Sequence, residues 1–245
     1  MEASNIKFRC SSLGHLMTNS RSKTEKLSES TKTHLVDVFV RAKYGRRTDI
    51  QNKYVAKGLM VEEDSITLFS RHEKTFFKKN EKQLKNNFIS GTPDLFEGSD
   101  IANAKHIIDV KSSWDIFTFF RASSKKLNKL YYWQLQGYMA LTGAQTSTLA
   151  YCLVNTPEIL VNDEKRRLMW KMGLIDENED FEEASKEIDR LSVYDDIPMA
   201  ERIHQITIER NNEDIQSLYE RIIECRKYMD AFLFKTGVKE PLNIS

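Results

Sequence analysis

The chain has 245 residues, 40% hydrophobic, 30% charged and 10% aromatic, enough to bury a sizeable core and unlike a disordered or collagen-like composition. No uninterrupted apolar stretch approaches the roughly 20 residues that a spanning helix needs, which leaves a soluble globular protein with no membrane partner. The net charge of +1 hides a gradient: residues 1–57 carry 12 basic and 5 acidic groups, residues 58–154 carry 12 and 10, and residues 155–245 carry 13 and 21.

A basic amino-terminal third can line a polyanion path, or it can be an ordinary solvated surface. The start lacks the basic region and apolar run of an export signal. Cys10, Cys152 and Cys225 are few and far apart, so neither a disulfide framework nor a zinc knuckle is expected, and a reducing cytoplasm fits best. No repeat or low-complexity tract interrupts the chain, and residues 1–245 read as a single domain.

In chain order, Ser28, Ser30 and Thr31 are candidate caps for a helix over 34–45, with Leu35, Val38, Phe39 and Ala42 at helical spacing and Gly45 at its end. Residues 52–72 read as one further helix whose buried face holds Val55, Leu59, Ile66 and Phe69, with Gly58 inside it suggesting close packing. Three short segments, 75–80, 86–96 and 105–113, are rich in aromatic and β-branched residues and read as strands of a meander. Residues 127–143 read as a helix and 147–154 as a buried strand. Beyond Pro157 lie charged helical segments around 166–173 and 181–191, a strand over 204–210 and a long amphipathic helix over 212–234. The expected fold is an α/β domain: a central mixed sheet flanked by helices.

The chemistry concentrates in two of the predicted strands. Gly91 and Pro93 bend the chain ahead of Asp94, while Asp109 and Lys111 stand two apart. Alternation along a strand turns both to one face with Ile107, leaving Ile108 and Val110 on the other. An aspartate and a lysine inside an apolar strand cost free energy unless they pair with each other, a metal or a substrate phosphate. A structural ion pair is one account of them. Glu62, on the helix before the sheet, can bring a third carboxylate to the same corner, with adjacent Glu63 turned about 100° away. Asp94, Asp109, Glu62 and the carbonyl of Val110 would form the oxygen shell that a hard divalent cation takes, and Lys111 would position water or offset developing charge.

These residues, in this order along the chain from about Lys7 to the last helix, resemble the PD-(D/E)XK nuclease superfamily, and within it the lambda exonuclease and YqaJ-like viral recombinase group. The resemblance implies a restriction-endonuclease-like core over 58–154, with 1–57 as a basic helical part and 155–245 as acidic carboxy-terminal strand and helices. It implies that Glu62, Asp94, Asp109, Lys111 and Gln134 are catalytic, with Gln136 the alternative should the helix register differ by two. Tyr131 lies one turn from Gln134, and Trp133 and Tyr138 read as core. Ser11 and Arg21, with Arg9 nearby, fall where the group holds the terminal phosphate of the processed strand. Guanidinium and hydroxyl suit that task, although Ser11 or Ser12 can equally cap a helix.

The activity so implied is a magnesium-dependent exonuclease, manganese being an alternative ion, with two ions per site. It would resect linear double-stranded DNA from the 5′ end for single-strand annealing, as a ring trimer in a host cytoplasm, beside an annealing protein. Rival readings are an endonuclease, a RecB-like single-strand nuclease, and a non-catalytic DNA-binding subunit. His15, His34, His72, His106 and His204 show no zinc-ligand spacing, and neither a phosphate-binding Gly-Lys loop nor a serine nucleophile elbow is present. Lys125, Lys126 and Lys129 read as a solvated helix start that can also touch a DNA backbone.

Overall fold

A computed structural model describes residues 3–46 and 52–235. It shows an α/β fold with two sheets. The smaller joins β1 (Phe8–Arg9), β2 (Leu84–Lys85) and β3 (Ile89–Gly91) in the order β1-β3-β2. The larger holds β4 (Leu95–Glu97), β5 (His106–Ser112), β6 (Thr146–Cys152) and β7 (Ile203–Glu209) in chain order. β5 and β6 run parallel, and β4 and β7 flank them antiparallel, so the sheet is mixed as expected. The helices are α1 (Leu13–Leu16), α2 (Glu29–Tyr44), α3 (Lys53–Met60), α4 (Glu62–His72), α5 (Ile116–Ser123), α6 (Lys129–Thr142), α7 (Glu158–Met172), α8 (Glu179–Arg190) and α9 (Asn212–Lys235).

Local chemistry sets the element ends. The Ser28 hydroxyl accepts from the Thr31 N–H to open α2, and Gly45 closes it with a left-handed φ of 64°. Parallel β5 and β6 require a crossover, which α5 and α6 supply. Asp115 and Thr118 form a reciprocal capping box at the start of α5, a helix that the aromatic run Phe117, Phe119 and Phe120 does not announce. The two faces of β5 divide as alternation requires. Ile107 joins a core cluster with residues of α1, α2, α6 and α9, whereas Ile108 and Val110 join a second cluster with Ile66, Leu68 and Phe69 of α4.

Several expectations change. Residues 52–72 form two helices broken at Val61, whose φ of −108° and ψ of 16° leave the helical region while its side chain is buried. As a result Ile66 and Phe69 are buried, but Val55 is 50% and Leu59 72% exposed. A Cβ added at Gly58 would meet nothing within 4 Å, so that glycine marks open space instead of close packing. Residues 75–80 form no strand: the chain leaves α4 through Lys74, at φ 53°, and runs on as irregular backbone. Residues 86–96 do not make one meander strand but divide between the two sheets, as β3 and β4.

Candidate active site

The site lies where β5 ends. Leu95 pairs with Ile108 across β4 and β5, so Asp94, one step before Leu95, arrives beside Asp109. The turn carrying Asp94 is held by Asn80, which donates from its backbone N–H to the Asp94 carbonyl at 2.7 Å and from its buried side chain to the Pro93 carbonyl at 2.9 Å. Asp94 Oδ2 in turn accepts from the Val110 N–H at 2.8 Å. Asp109 is 1% exposed. Its Oδ1 accepts from Gln134 Nε2 at 2.9 Å, and its Oδ2 lies 2.6 Å from Lys111 Nζ.

Burial first, and then the Asp109 charge, push the Asp94 carboxyl up to about 7. Burial pulls the Lys111 ammonium down, yet Asp109 and Asp94 together hold it well above the ordinary lysine range. The Tyr131 ring centroid lies 5.5 Å from Lys111 Nζ, and Tyr131 meets Tyr151 edge-on. Gln134 is buried in α6 and donates to Tyr138 Oη as well as to Asp109, which fixes the carboxylate from the core side. Gln136 points elsewhere: it bonds the Glu209 carbonyl and the Asn211 N–H.

Asp94, Val110, Lys111, Glu62 and Tyr131 line one cleft of 570 Å³, whose opposite wall is α3 with its uncovered Tyr54, Val55 and Leu59. Glu62 faces this cleft, but its Oε2 is held by Lys79 Nζ at 2.8 Å; Glu63 is 75% exposed and lies 3.8 Å from the same ammonium. Among the described residues no three His, Cys, Asp or Glu side chains converge as a ready ligand set. Thus Asp94 and Asp109 meet while the expected third carboxylate, Glu62, stands aside on a lysine. The donor chemistry still suits a hard cation: an all-oxygen pair of carboxylates, mutually repelling and sheltered from water.

Arg9, Ser11 and Arg21 are exposed, and none lines the cleft. Ser11 sits in the 3-10 turn Cys10–Ser12 and does not cap α1; Ser12 holds that position without a side-chain capping bond, its Oγ donating to the Arg9 carbonyl instead. The turn is seated on α6, where a Cβ at Gly137 would come within 2.5 Å of Leu13 and 3.0 Å of Cys10 Sγ. Sequence reasoning passed over Asn80 and Lys79, whose partners lie 13 to 17 residues away. It also passed over Ser65, which shares a 2.7 Å hydrogen bond with Ser112 and ties α4 to the end of β5. Only their polarity near the Asp94 turn signalled them.

A mixed sheet that brings Asp94, Asp109 and Lys111 together on and beside β5 is the arrangement that the PD-(D/E)XK resemblance implies. No family model and no curated protein sequence matches the chain. Solved structures do. A phage-related exonuclease from Haemophilus somnus 129PT is similar at 27% identity and a TM-score of 0.74, over 95% of this chain and 97% of that one. An alkaline exonuclease, LHK-Exo, from Laribacter hongkongensis shares the fold at 14% identity and a TM-score of 0.64, over 97% and 96% of the two chains. The same enzyme in complex with dAMP superposes with a TM-score of 0.62. The fold is thus shared with phage-related and alkaline exonucleases, the group that the sequence resembles.

Proposed function

We propose that the protein is a magnesium-dependent exodeoxyribonuclease acting on the ends of linear double-stranded DNA. The observation that carries the reading is the pairing of cleft-lining Lys111 with buried Asp109 beside cleft-lining Asp94, with Gln134 fixing Asp109 from behind, inside a fold shared over nearly its whole length with a phage-related exonuclease. Asp94, Asp109 and the Val110 carbonyl would hold the ion, and a second ion would draw on Glu62 once Lys79 releases it. Magnesium, or manganese in its place, neutralises charge on the scissile phosphate and activates water.

The protein's own groups do the rest. Lys111, kept protonated by its carboxylate neighbours, is a hydrogen-bond donor and charge for the phosphate rather than a base. Gln134 presents Asp109 in one orientation, since its amide N–H occupies Oδ1 and leaves Oδ2 to Lys111. The Tyr131 ring gives the ammonium a further, aromatic neighbour 5.5 Å away.

Resection from the 5′ end, a phosphate grip by Arg9, Ser11 and Arg21, assembly as a ring trimer and supply of tails to an annealing protein complete the proposal. The test is digestion of linear and relaxed circular duplex of one sequence with magnesium. An end-dependent exonuclease consumes the linear form alone. Cutting of the circle overturns the exonuclease reading, and survival of both forms overturns the nuclease. A 5′-phosphorylated duplex compared with a 5′-hydroxyl duplex, in wild type and Arg21→Ala, tests the phosphate grip: loss confined to the phosphorylated end supports it, and equal slowing of both ends rejects it.

A further inference from the structure

A second groove, of 740 Å³, adjoins the cleft through one ion pair. Lys79 lines the groove, Glu62 lines the cleft, and their charged atoms are 2.8 Å apart. Three other cations line it, Arg71, Lys74 and Lys78, and none of them has an ion pair among the described residues. Glu63 and Glu81 are its acidic members, leaving an excess of positive charge. Between Lys74 and Lys78 stands Phe76, 90% exposed.

The backbone here is arranged to leave that ring uncovered. α4 ends through the left-handed Lys74, and the segment that follows joins no strand until Asn80 is pinned to the Asp94 turn. Phe76 beside three cations without ion pairs joins an open aromatic face to positive charge, the pairing that single-strand grooves use. The charge fixes the chemistry of the cover as a polyanion. The ring decides which polyanion, because an aromatic face can stack only on a base that is not already stacked in a duplex.

We infer that this groove binds single-stranded DNA, with Phe76 stacking on an unpaired base and Arg71, Lys74 and Lys78 contacting its phosphates. On the nuclease reading, on which the origin of the strand rests, the groove receives a strand freed at the neighbouring cleft. The two sites then share the Glu62–Lys79 pair as their boundary.

The test measures binding of a fluorescein-labelled oligo(dT) and of a blunt duplex by anisotropy, in chelator so that nothing is cut. Phe76→Ala is expected to weaken oligo(dT) binding at least about fivefold and to leave the duplex unchanged; Phe76→Tyr, which keeps the ring, should bind like wild type. The double substitution Lys74→Ser, Lys78→Ser should reduce the slope of log affinity against log salt by about 1.4. Wild-type oligo(dT) affinity in Phe76→Ala overturns the inference, as does equal weakening of oligo(dT) and duplex. Sedimentation gives a further check: if Phe76→Ala changes the oligomeric state while oligo(dT) binding holds, the groove is a contact between copies and the inference fails. Because binding is read without metal, these outcomes are separate from the digestion of linear duplex, which alone decides the nuclease reading.

Discussion

Two lysines removed from water show opposite behaviour. Lys57, on α3, is 1% exposed; its Nζ donates to the Trp114 carbonyl at 2.7 Å and faces the rings of Trp114 and Tyr194 at 5.8 and 5.5 Å. Burial pulls it down from 10.5 to about 8, with distant Asp115 offering little relief. Lys111, its side chain 27% exposed, is also penalised by burial, but Asp109 and Asp94 lie beside it and it is pushed up. The difference teaches that companions outweigh depth: a carbonyl and two rings solvate an ammonium incompletely, while two carboxylates more than replace the lost water. The Lys111 region is thus an electrostatic centre, and the Lys57 region a buried hydrogen bond that pins α3 to the loop after β5.

The comparison breaks most sharply at Asp109. Asp109→Ala is expected to abolish turnover and to lower stability by about 3–5 kcal/mol, because it strands Lys111 in a sheltered site without its partner. Denaturant unfolding alongside digestion checks both parts, and unchanged stability would show that Lys111 finds other solvation.

Lys111→Ala should lose about 10²–10³ in kcat, the usual cost of removing one charge-stabilising donor, while Km for DNA changes little. Steady-state kinetics on linear duplex measures it.

Lys57 gives the pH arm. Its folded value, about 8, lies below the unfolded 10.5, so below pH 8 it is charged in both states and the burial cost is fully present. Between the two values the folded state sheds its proton first, so stability rises with pH across that window, by about 3 kcal/mol. Lys57→Met should flatten this rise, and the difference between the two proteins' unfolding free energies from pH 7 to 10.5 reads it directly.

The smallest effect concerns Asp94. Its carboxyl, raised from 3.8 to about 7, stabilises the fold in acid and loses that contribution as pH climbs through the window. In chelator, Asp94→Asn should therefore melt higher than wild type at pH 8 and lose the advantage near pH 4. Magnesium should restore the wild type and leave the variant unaffected. A variant that responds equally to magnesium would remove Asp94 from the ligand set.

What the sequence made legible follows from locality. Asp109 and Lys111 share a face because alternation is a property of any strand, and the separation of Ile107 from Ile108 and Val110 into two clusters follows from the same rule. Gln134 rather than Gln136 meets Asp109 because helical phase is equally local. Partnerships set by the fold were not legible. Lys79 reaches Glu62 and Lys57 reaches Trp114 only after the sheet has brought α3 and α4 over β5. The break at Val61 was hidden for a related reason, since residues 52–72 have sound helical periodicity throughout and only tertiary packing turns the second half inward.

α9 also binds the segments on either side of β1 and α1. The Ala3 N–H donates to Asp230 Oδ1 at 3.1 Å, Arg226 grips the Ile6 carbonyl at 2.7 Å, and Arg221 bonds the Lys26 carbonyl. During synthesis the opening segment therefore waits for α9 to leave the ribosome before it can settle. β1 and the turn that seats on α6 are thus made before α9 and secured only after it. A nascent chain would bring Asp94 beside Asp109 well before the segment ahead of β1 is fixed.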